Sequence, residues 1–203
     1  MDAITQQAVD LLRRMISLTS FSGEESHRCD MLQEYLAAGG AVVKRVGNSL
    51  IASAPSFDHG LPLLMLNSHI DTVKPVKGYS FDPFDPGSDS GVVRGLGSND
   101  AGASVATMTE TFLMFLRDKL QGNGPRCNLM LLLSAEEENS GAGGISLALQ
   151  EAPRADMAIV GEPTGMRAAV AERGLLVLDG VAHGIGGHAA RDEGVNALYI
   201  ALE

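Results

Sequence analysis

Three apolar runs, each ending in a turn that carries ligand-type side chains, constrain this chain more than any other feature. Leu63-Leu64-Met65-Leu66 runs into Asn67-Ser68-His69-Ile70-Asp71. Leu129 to Leu133 runs into Ser134-Ala135-Glu136-Glu137-Glu138, and Met157-Ala158-Ile159-Val160 into Gly161-Glu162-Pro163-Thr164. Apolar runs without polar alternation read as strands of a sheet covered on both faces. Ligands of such sheets gather beyond the carboxyl ends of the strands, where these residues stand. A buried carboxylate costs several kcal/mol unless it is paired or bound to a cation. Three strand ends carrying acids into one region therefore call for a cation.

Helical patterns surround the runs. Ile4, Ala8, Leu11, Leu12 and Met15 share one face of residues 3–18. Ser22 with Glu25 reads as a capping box that opens a second helix. Its apolar stripe is Leu32, Tyr35 and Leu36, and it ends at Gly39-Gly40. Residues 41–54 read as two short strands turning at Gly47-Asn48, followed by a buried strand over 61–67. Residues 74–99, rich in Pro, Gly, Asp and Ser, read as a long irregular loop, of a kind that is usually functional. A helix over about 103–116, a strand over 127–134, a helix over 142–151 and a strand over 156–160 complete an α/β layer fold with a central, mostly parallel sheet. The pattern changes near Gly165. Residues 166–172 and 174–184 read as strands joined at Arg173-Gly174, and a helix starts near Glu193 or Gly194.

The net charge of −10, from 25 acidic and 15 basic residues, argues against nucleic acid or an acidic membrane surface as partner. No apolar run approaches the ~20 residues of a membrane span. The start, Met1 to Gln6, shows no signal-peptide pattern. Cys29 and Cys127 lie in no CxxC motif and read as reduced core thiols of a cytoplasmic protein. The glycines at 184, 186 and 187 suggest a phosphate loop, but no Lys-Ser/Thr follows, which excludes a nucleotide site.

Each candidate residue has a plain alternative. His69 and Asp71 share one face of an extended chain, so His69 can bind metal while Asp71 fixes its tautomer; the alternative is a chance surface tripeptide. Asp100, in Gly95-Leu96-Gly97-Ser98-Asn99-Asp100, can bridge two ions or cap the helix that follows. Glu136 and Glu137 diverge in an extended segment, so one can bind metal while the other serves as general base; otherwise the three glutamates are a solvated acidic loop. Glu162 is either a ligand or an ordinary turn residue.

Taken in order, Ser68-His69-Ile70-Asp71-Thr72-Val73, Phe81-Asp82-Pro83-Phe84, Gly95 to Asp100, Glu136-Glu137-Glu138, Gly161-Glu162-Pro163-Thr164 and Gly187-His188-Ala189-Ala190 resemble a family. It is that of the zinc-dependent deacylases and exopeptidases that include acetylornithine deacetylase, succinyl-diaminopimelate desuccinylase and aminoacylase, with acetylornithine deacetylase-type proteins the nearest likeness. The resemblance implies a three-layer α/β catalytic domain over 1–164 and the beginning of a smaller α+β lid and dimerisation domain over 165–203. It implies two Zn2+ ions, with Co2+ or Mn2+ as substitutes. His69 and Glu162 would bind the first ion, Glu137 the second, and Asp100 would bridge them. Glu136 would be the general base, Asp71 would orient His69, and His188 would polarise the scissile carbonyl in the partner subunit of a homodimer. A cis peptide bond would follow Asp100. The implied activity is hydrolysis of the amide of a small N-acyl amino acid, N-acetylornithine in arginine biosynthesis.

Gly102-Ala103 stands where the family often has Lys-Gly. The family also continues further, supplying a last histidine for the second metal and groups that hold the substrate carboxylate. The chain therefore reads as C-terminally truncated, with its second metal site one ligand short. The alternatives are a non-catalytic remnant binding at most one metal, a related dipeptidase or desuccinylase, and, disfavoured for want of a basic phosphate clamp, a two-metal phosphoesterase.

Overall fold

The computed structural model describes residues 2–202 except 89, 90, 172, 175, 177, 189 and 192. The chain divides into two compact units, Met1–Met166 and Arg167–Glu203.

In the first unit the helices are α1 (Ala3–Ile16), α2 (Ser26–Ala38), α3 (Ala103–Leu120) and α4 (Ile145–Glu151). The strands are β1 (Val42–Val46), β2 (Ser49–Ser53), β3 (Leu63–His69), β4 (Asn128–Ser134) and β5 (Met157–Val160). They form one sheet in the order β1-β2-β4-β3-β5. β4, β3 and β5 run parallel, and the β1–β2 hairpin adds antiparallel to β4. Alternation along each strand assigns its side chains to two layers. Leu50, Ala52, Leu66, Leu131 and Leu133 face a core built with Leu11, Leu12, Met15, Leu32, Leu36, Phe112 and Leu113 of α1, α2 and α3. Ile51, Met65, Met130 and Leu132 face Ala148 of α4. Both faces of β4 are therefore covered, which is why its sequence is apolar throughout.

Two local expectations change. The capping box does not form: α2 begins at Ser26 with Glu25 as an uncapped N-cap, and Ser22 and Glu25 bond elsewhere. Cys29 is buried as expected, whereas Cys127 is only half-buried; both are free.

β5 is an edge strand. Met157, Ile159 and Val160 are 60%, 52% and 57% exposed. Among the described residues no helix is long and apolar enough to cross a membrane.

From Met166, the last residue of the first unit, through residue 184 of the second, the described residues form no strand, contrary to the sequence expectation; residues 172, 175 and 177 of that stretch lie outside the described residues. The apolar side chains there, Val170, Leu176, Leu178 and Val181, are largely exposed. A two-stranded hairpin without a further layer to bury its apolar face is marginal at best, which accounts for the difference. What forms instead is an antiparallel bridge between Ile185 and Val195 and a short helix, α5 (Ala197–Leu202).

An exposed apolar edge strand is a template for pairing between chains. Ile159→Lys is expected to reduce self-association of the 203-residue chain, measured by light scattering across a concentration series. Its unfolding free energy should stay within about 0.5 kcal/mol, as for other surface changes.

Candidate metal centre

β3 delivers His69 at its last position, paired in register with Ser134 of β4. The pairing continues one residue further, where the Ile70 amide donates to the Ser134 carbonyl at 2.8 Å. The Ile70 carbonyl is held from the other side by Ser20 Oγ and by Arg28 Nη1, both at 2.8 Å. Arg28 is 4% exposed and also donates to the carbonyls of Met15 and Leu18. Burial pulls its pKa down to about 10, against the Asp71 charge, which raises it. The backbone between His69 and Asp71 is thus pinned by a buried cation.

The His69 side chain is 1% exposed. Its Nδ1 lies 3.1 Å from the Asp71 carbonyl oxygen and 3.4 Å from Asp71 Oδ1. Its Nε2 lies 3.0 Å from Asp100 Oδ1 and 3.9 Å from Glu162 Oε2. The ligand atoms of His69, Asp100 and Glu162 fall within 4.8 Å of one another. Asp100 reaches this point from a kinked turn, Ser98–Gly102, in which its own φ and ψ are −113° and 100°. The Asp100–Ala101 peptide bond is cis, as the resemblance implies. Asp100 does not cap the following helix: Gly102 is the N-cap of α3 and no side chain caps it. Glu162 is positioned by Gly161, whose amide donates to the Asn67 carbonyl at 2.7 Å and whose carbonyl accepts from Ser68 Oγ at 2.8 Å. A Cβ at Gly161 would sit 2.8 Å from Ser104 and Met108 of α3, so only glycine lets β5 lie so close there.

The acidic segment after β4 is held differently. Four consecutive amides donate to side chains rather than to backbone: Ala135 to Ser49 Oγ (3.1 Å), Glu136 to Glu25 Oε1 (3.1 Å), Glu137 to Asp71 Oδ1 (3.0 Å) and Glu138 to Asp71 Oδ2 (3.1 Å). Glu136 has φ +53°, a left-handed conformation that side-chain-bearing residues adopt at a cost of about 1–3 kcal/mol. Its carboxylate accepts from the Gly143 amide at 3.1 Å. A Cβ at Gly141 or Gly143 would collide with that carboxylate. Glu136 thus closes its own loop. Glu137 is exposed and Glu138 half-buried. The charges of both bear on Glu162, and those of Asp100 and His69 bear on Glu138.

The electrostatics fit a divalent cation. Burial alone would lower the His69 pKa, but hydrogen bonds to Asp71 and Asp100 and the Glu162 charge outweigh it and raise it to about 9. Burial raises the Glu162 carboxyl; the charges of Asp100, Glu137 and Glu138 add to this, against His69. Burial and the charges of Asp100, Glu137 and Asp71 likewise raise Glu138. Burial would raise Asp71, but hydrogen bonds from His69, Ser22 and the Glu137 and Glu138 amides hold it below the usual carboxylate range. One imidazole among five carboxylates, two of them pushed toward neutrality, is a cluster short of positive charge. Nitrogen and carboxylate ligands together suit zinc, cobalt or manganese.

His188 belongs to the second unit. It is exposed, and its Nδ1 accepts from the Ala190 amide at 3.2 Å. Ala189 of the same motif lies outside the described residues. Sequence reasoning missed Glu25, Arg28, Ser20 and Ser49. Three of these are polar residues at 0% exposure and Arg28 is nearly so; no local pattern marks a polar residue as buried.

Residues 65–174 match the model of peptidase family M20/M25/M40. The succinyl-diaminopimelate desuccinylase of Wolbachia pipientis wMel is 26% identical over 205 residues, covering 94% of this chain and 51% of the relative. The desuccinylase of the same name from a Nitratiruptor species is 29% identical over 206 residues, covering 95% and 54%. The chain therefore spans about half the length of the curated relatives it matches. Among solved structures, a tripeptidase from Staphylococcus aureus superposes with a TM-score of 0.57 at 23% identity, over 97% of this chain and 54% of the other. A dinuclear metal-binding peptidase from Bacillus subtilis superposes with a TM-score of 0.53 at 14% identity, over 73% and 39%. These likenesses show the fold.

Two consequences follow from the raised His69 pKa in the metal-free chain. The interaction contributes stability that is fully present below the unfolded value of 6.5 and is lost as pH rises through about 9. Metal uptake shows the opposite trend, because Nε2 must lose its proton to coordinate. The apparent zinc dissociation constant should fall about tenfold per pH unit between about pH 6 and 8, read by competitive titration with a chromophoric chelator. A pH-independent affinity would remove His69 as ligand.

Proposed function

This chain belongs to peptidase family M20/M25/M40, and on that premise we propose that it carries the metal-dependent amidohydrolase site of a protein that cleaves the amide bond of small N-acyl amino acids. The observation that carries the proposal is the group of His69, Asp100 and Glu162, in which His69 and Glu162 stand at or just beyond the carboxyl ends of parallel strands, Asp100 comes from the Ser98–Gly102 turn, and positive charge is deficient. His69 and Glu162 would hold one divalent ion, Asp100 would bridge, and a carboxylate of the acidic segment would hold a second. Bound metal supplies Lewis acidity for water and for the scissile carbonyl. Zinc is the proposed ion.

The chain's own residues supply the rest. Asp71 fixes the His69 ring from its Nδ1 side, leaving Nε2 toward Asp100 and Glu162. A carboxylate takes the proton of the attacking water and returns it to the leaving amine. The sequence reading gives this task to Glu136 and gives metal to Glu137. The geometry favours a register one residue later, because the Glu136 carboxylate is engaged with Gly143 while the Glu137 and Glu138 charges act on Glu162. Glu137 is then the base and Glu138 the ligand. His188 is proposed to donate to the oxyanion developing in the partner subunit of a homodimer; its support is the Gly187-His188 motif and an exposed side chain. The division into a catalytic domain over 1–164 and the start of a lid and dimerisation domain from 165, a homodimer, and a cytoplasmic location belong to the same proposal.

For the acyl group, succinyl is favoured, since both relatives cited carry desuccinylase names. Deacetylation of N-acetylornithine, in arginine biosynthesis, is the second reading and rests on the ordered motifs alone. Amine release from N-succinyl-diaminopimelate and from N-acetylornithine, assayed with zinc or cobalt, separates the two. Metal binding without release from either favours a non-catalytic remnant.

Where turnover is seen, Glu137→Gln should lower kcat about a hundred- to ten-thousand-fold with metal retained. Glu136→Gln should cost far less. The reverse ranking would return the base to Glu136.

A further inference from the structure

Glu25 has no part in the motifs that mark this site, yet it is 0% exposed. Its Oε1 accepts the Gly23 amide at 2.6 Å and the Glu136 amide at 3.1 Å, and its Oε2 accepts Asn48 Nδ2 at 2.8 Å. Among the described residues no cation pairs with it. A carboxylate buried without a counter-charge is costly and is compensated here only by the N–H groups it receives. Those groups come from three separate places: the loop before α2, the β1–β2 turn, and the acidic segment after β4.

The bond to Glu136 is the informative one. Glu136 is the left-handed residue of the segment, and the two residues that follow bear on the metal centre through their charges. Whatever holds the Glu136 amide sets the direction in which Glu137 and Glu138 leave the sheet. Asp71 takes the next two amides, but it is itself fixed by the metal-side histidine. Glu25 is anchored instead to Asn48, whose Oδ1 accepts from Arg45 at 3.0 Å, and so to the hairpin edge of the sheet. An acceptor bearing full charge makes the stronger bond to an amide, which a strained backbone needs.

We propose that Glu25 is a positioning residue for the site: it holds the left-handed Glu136 and thereby places the Glu137 and Glu138 carboxylates. This rests on the assignment of base and second-ion ligand to that pair. Glutamine at 25 keeps the bulk and one oxygen acceptor for Gly23 and Glu136, whereas alanine removes both oxygens, so the two variants separate loss of the charge from loss of the acceptor.

The test uses the whole 203-residue chain. Amide hydrogen exchange by NMR in Glu25→Ala should rise about a hundredfold at Glu136, Glu137 and Glu138 and stay within about threefold at Leu131, Leu132 and Leu133 of β4. Glu25→Gln should recover most of the protection. In cobalt titrations followed by visible absorption, alanine should weaken the looser class of ions about tenfold or more and leave the tighter class unchanged, with glutamine in between. Exchange at 136–138 that is unchanged in the alanine variant, or that rises equally in β4, overturns the proposal. So does cobalt binding identical to wild type. A wild-type chain that binds no cobalt would sink the metal-site assignment, while the exchange result would still decide whether Glu25 holds the segment.

Discussion

The buried carboxylate of Asp71 is the interaction on which the rest of the site depends. Its side chain is 0% exposed, and it gathers Ser22 Oγ at 2.7 Å with the amides of Glu137 and Glu138. It lies against His69 Nδ1 and within the field of Arg28. One charged group therefore ties the end of β3, the segment after β4 and the loop before α2 together. Burying that charge would be prohibitive in an apolar core; here its polar partners and a nearby guanidinium offset the cost. The compensation is mutual, because the unpaired amides after β4 would otherwise be buried without acceptors.

The residues of the candidate metal centre divide into those that the strands deliver and those that the loops must hold. His69 and Glu162 follow directly from strand register, since β3 and β5 stop at nearly the same level of the sheet. Asp100 comes from a turn whose torsions are not helical, and the acidic segment departs from β4 through a left-handed residue. Side-chain acceptors from distant segments hold that departure in place of a ladder. The supporting layer is accordingly as polar as the site itself, and much of it comes from the loops that lead into α2.

Much of this is legible in the sequence. Apolar runs locate β3, β4 and β5, Gly47-Asn48 locates the hairpin turn, and the ends of the runs locate His69 and Glu162. The glycine-rich turn before α3 locates Asp100. These signals are local and periodic, or lie at a strand's last position. What stays hidden depends on partners far along the chain. Ser22 and Glu25 match a helix-capping pattern, but their side chains bond to Asp71 and Glu136 instead. Three successive glutamates carry no internal mark of which one turns toward the centre; only the φ of Glu136 and its bond to Gly143 distinguish them. The strands expected over 166–184 have the right composition, yet the described apolar residues there, such as Val170, Leu176, Leu178 and Val181, are largely exposed.

The parallel arrangement also dictates an order of assembly. The β1–β2 hairpin closes across Gly47-Asn48, whereas Leu63 must find Asn128 and Leu64 must find Met157. Loop-closure entropy has to be met before such distant pairings return any stability, and hairpins close on a scale of about 1–10 μs. His69, Asp100 and Glu162 come from three strand ends or turns far apart in the chain, so they converge only when the last of these alignments is made. A divalent ion held by the proposed group of His69, Asp100 and Glu162 would therefore meet all three only in a sheet that is already complete, and would act as a lock on the finished structure rather than as its nucleus.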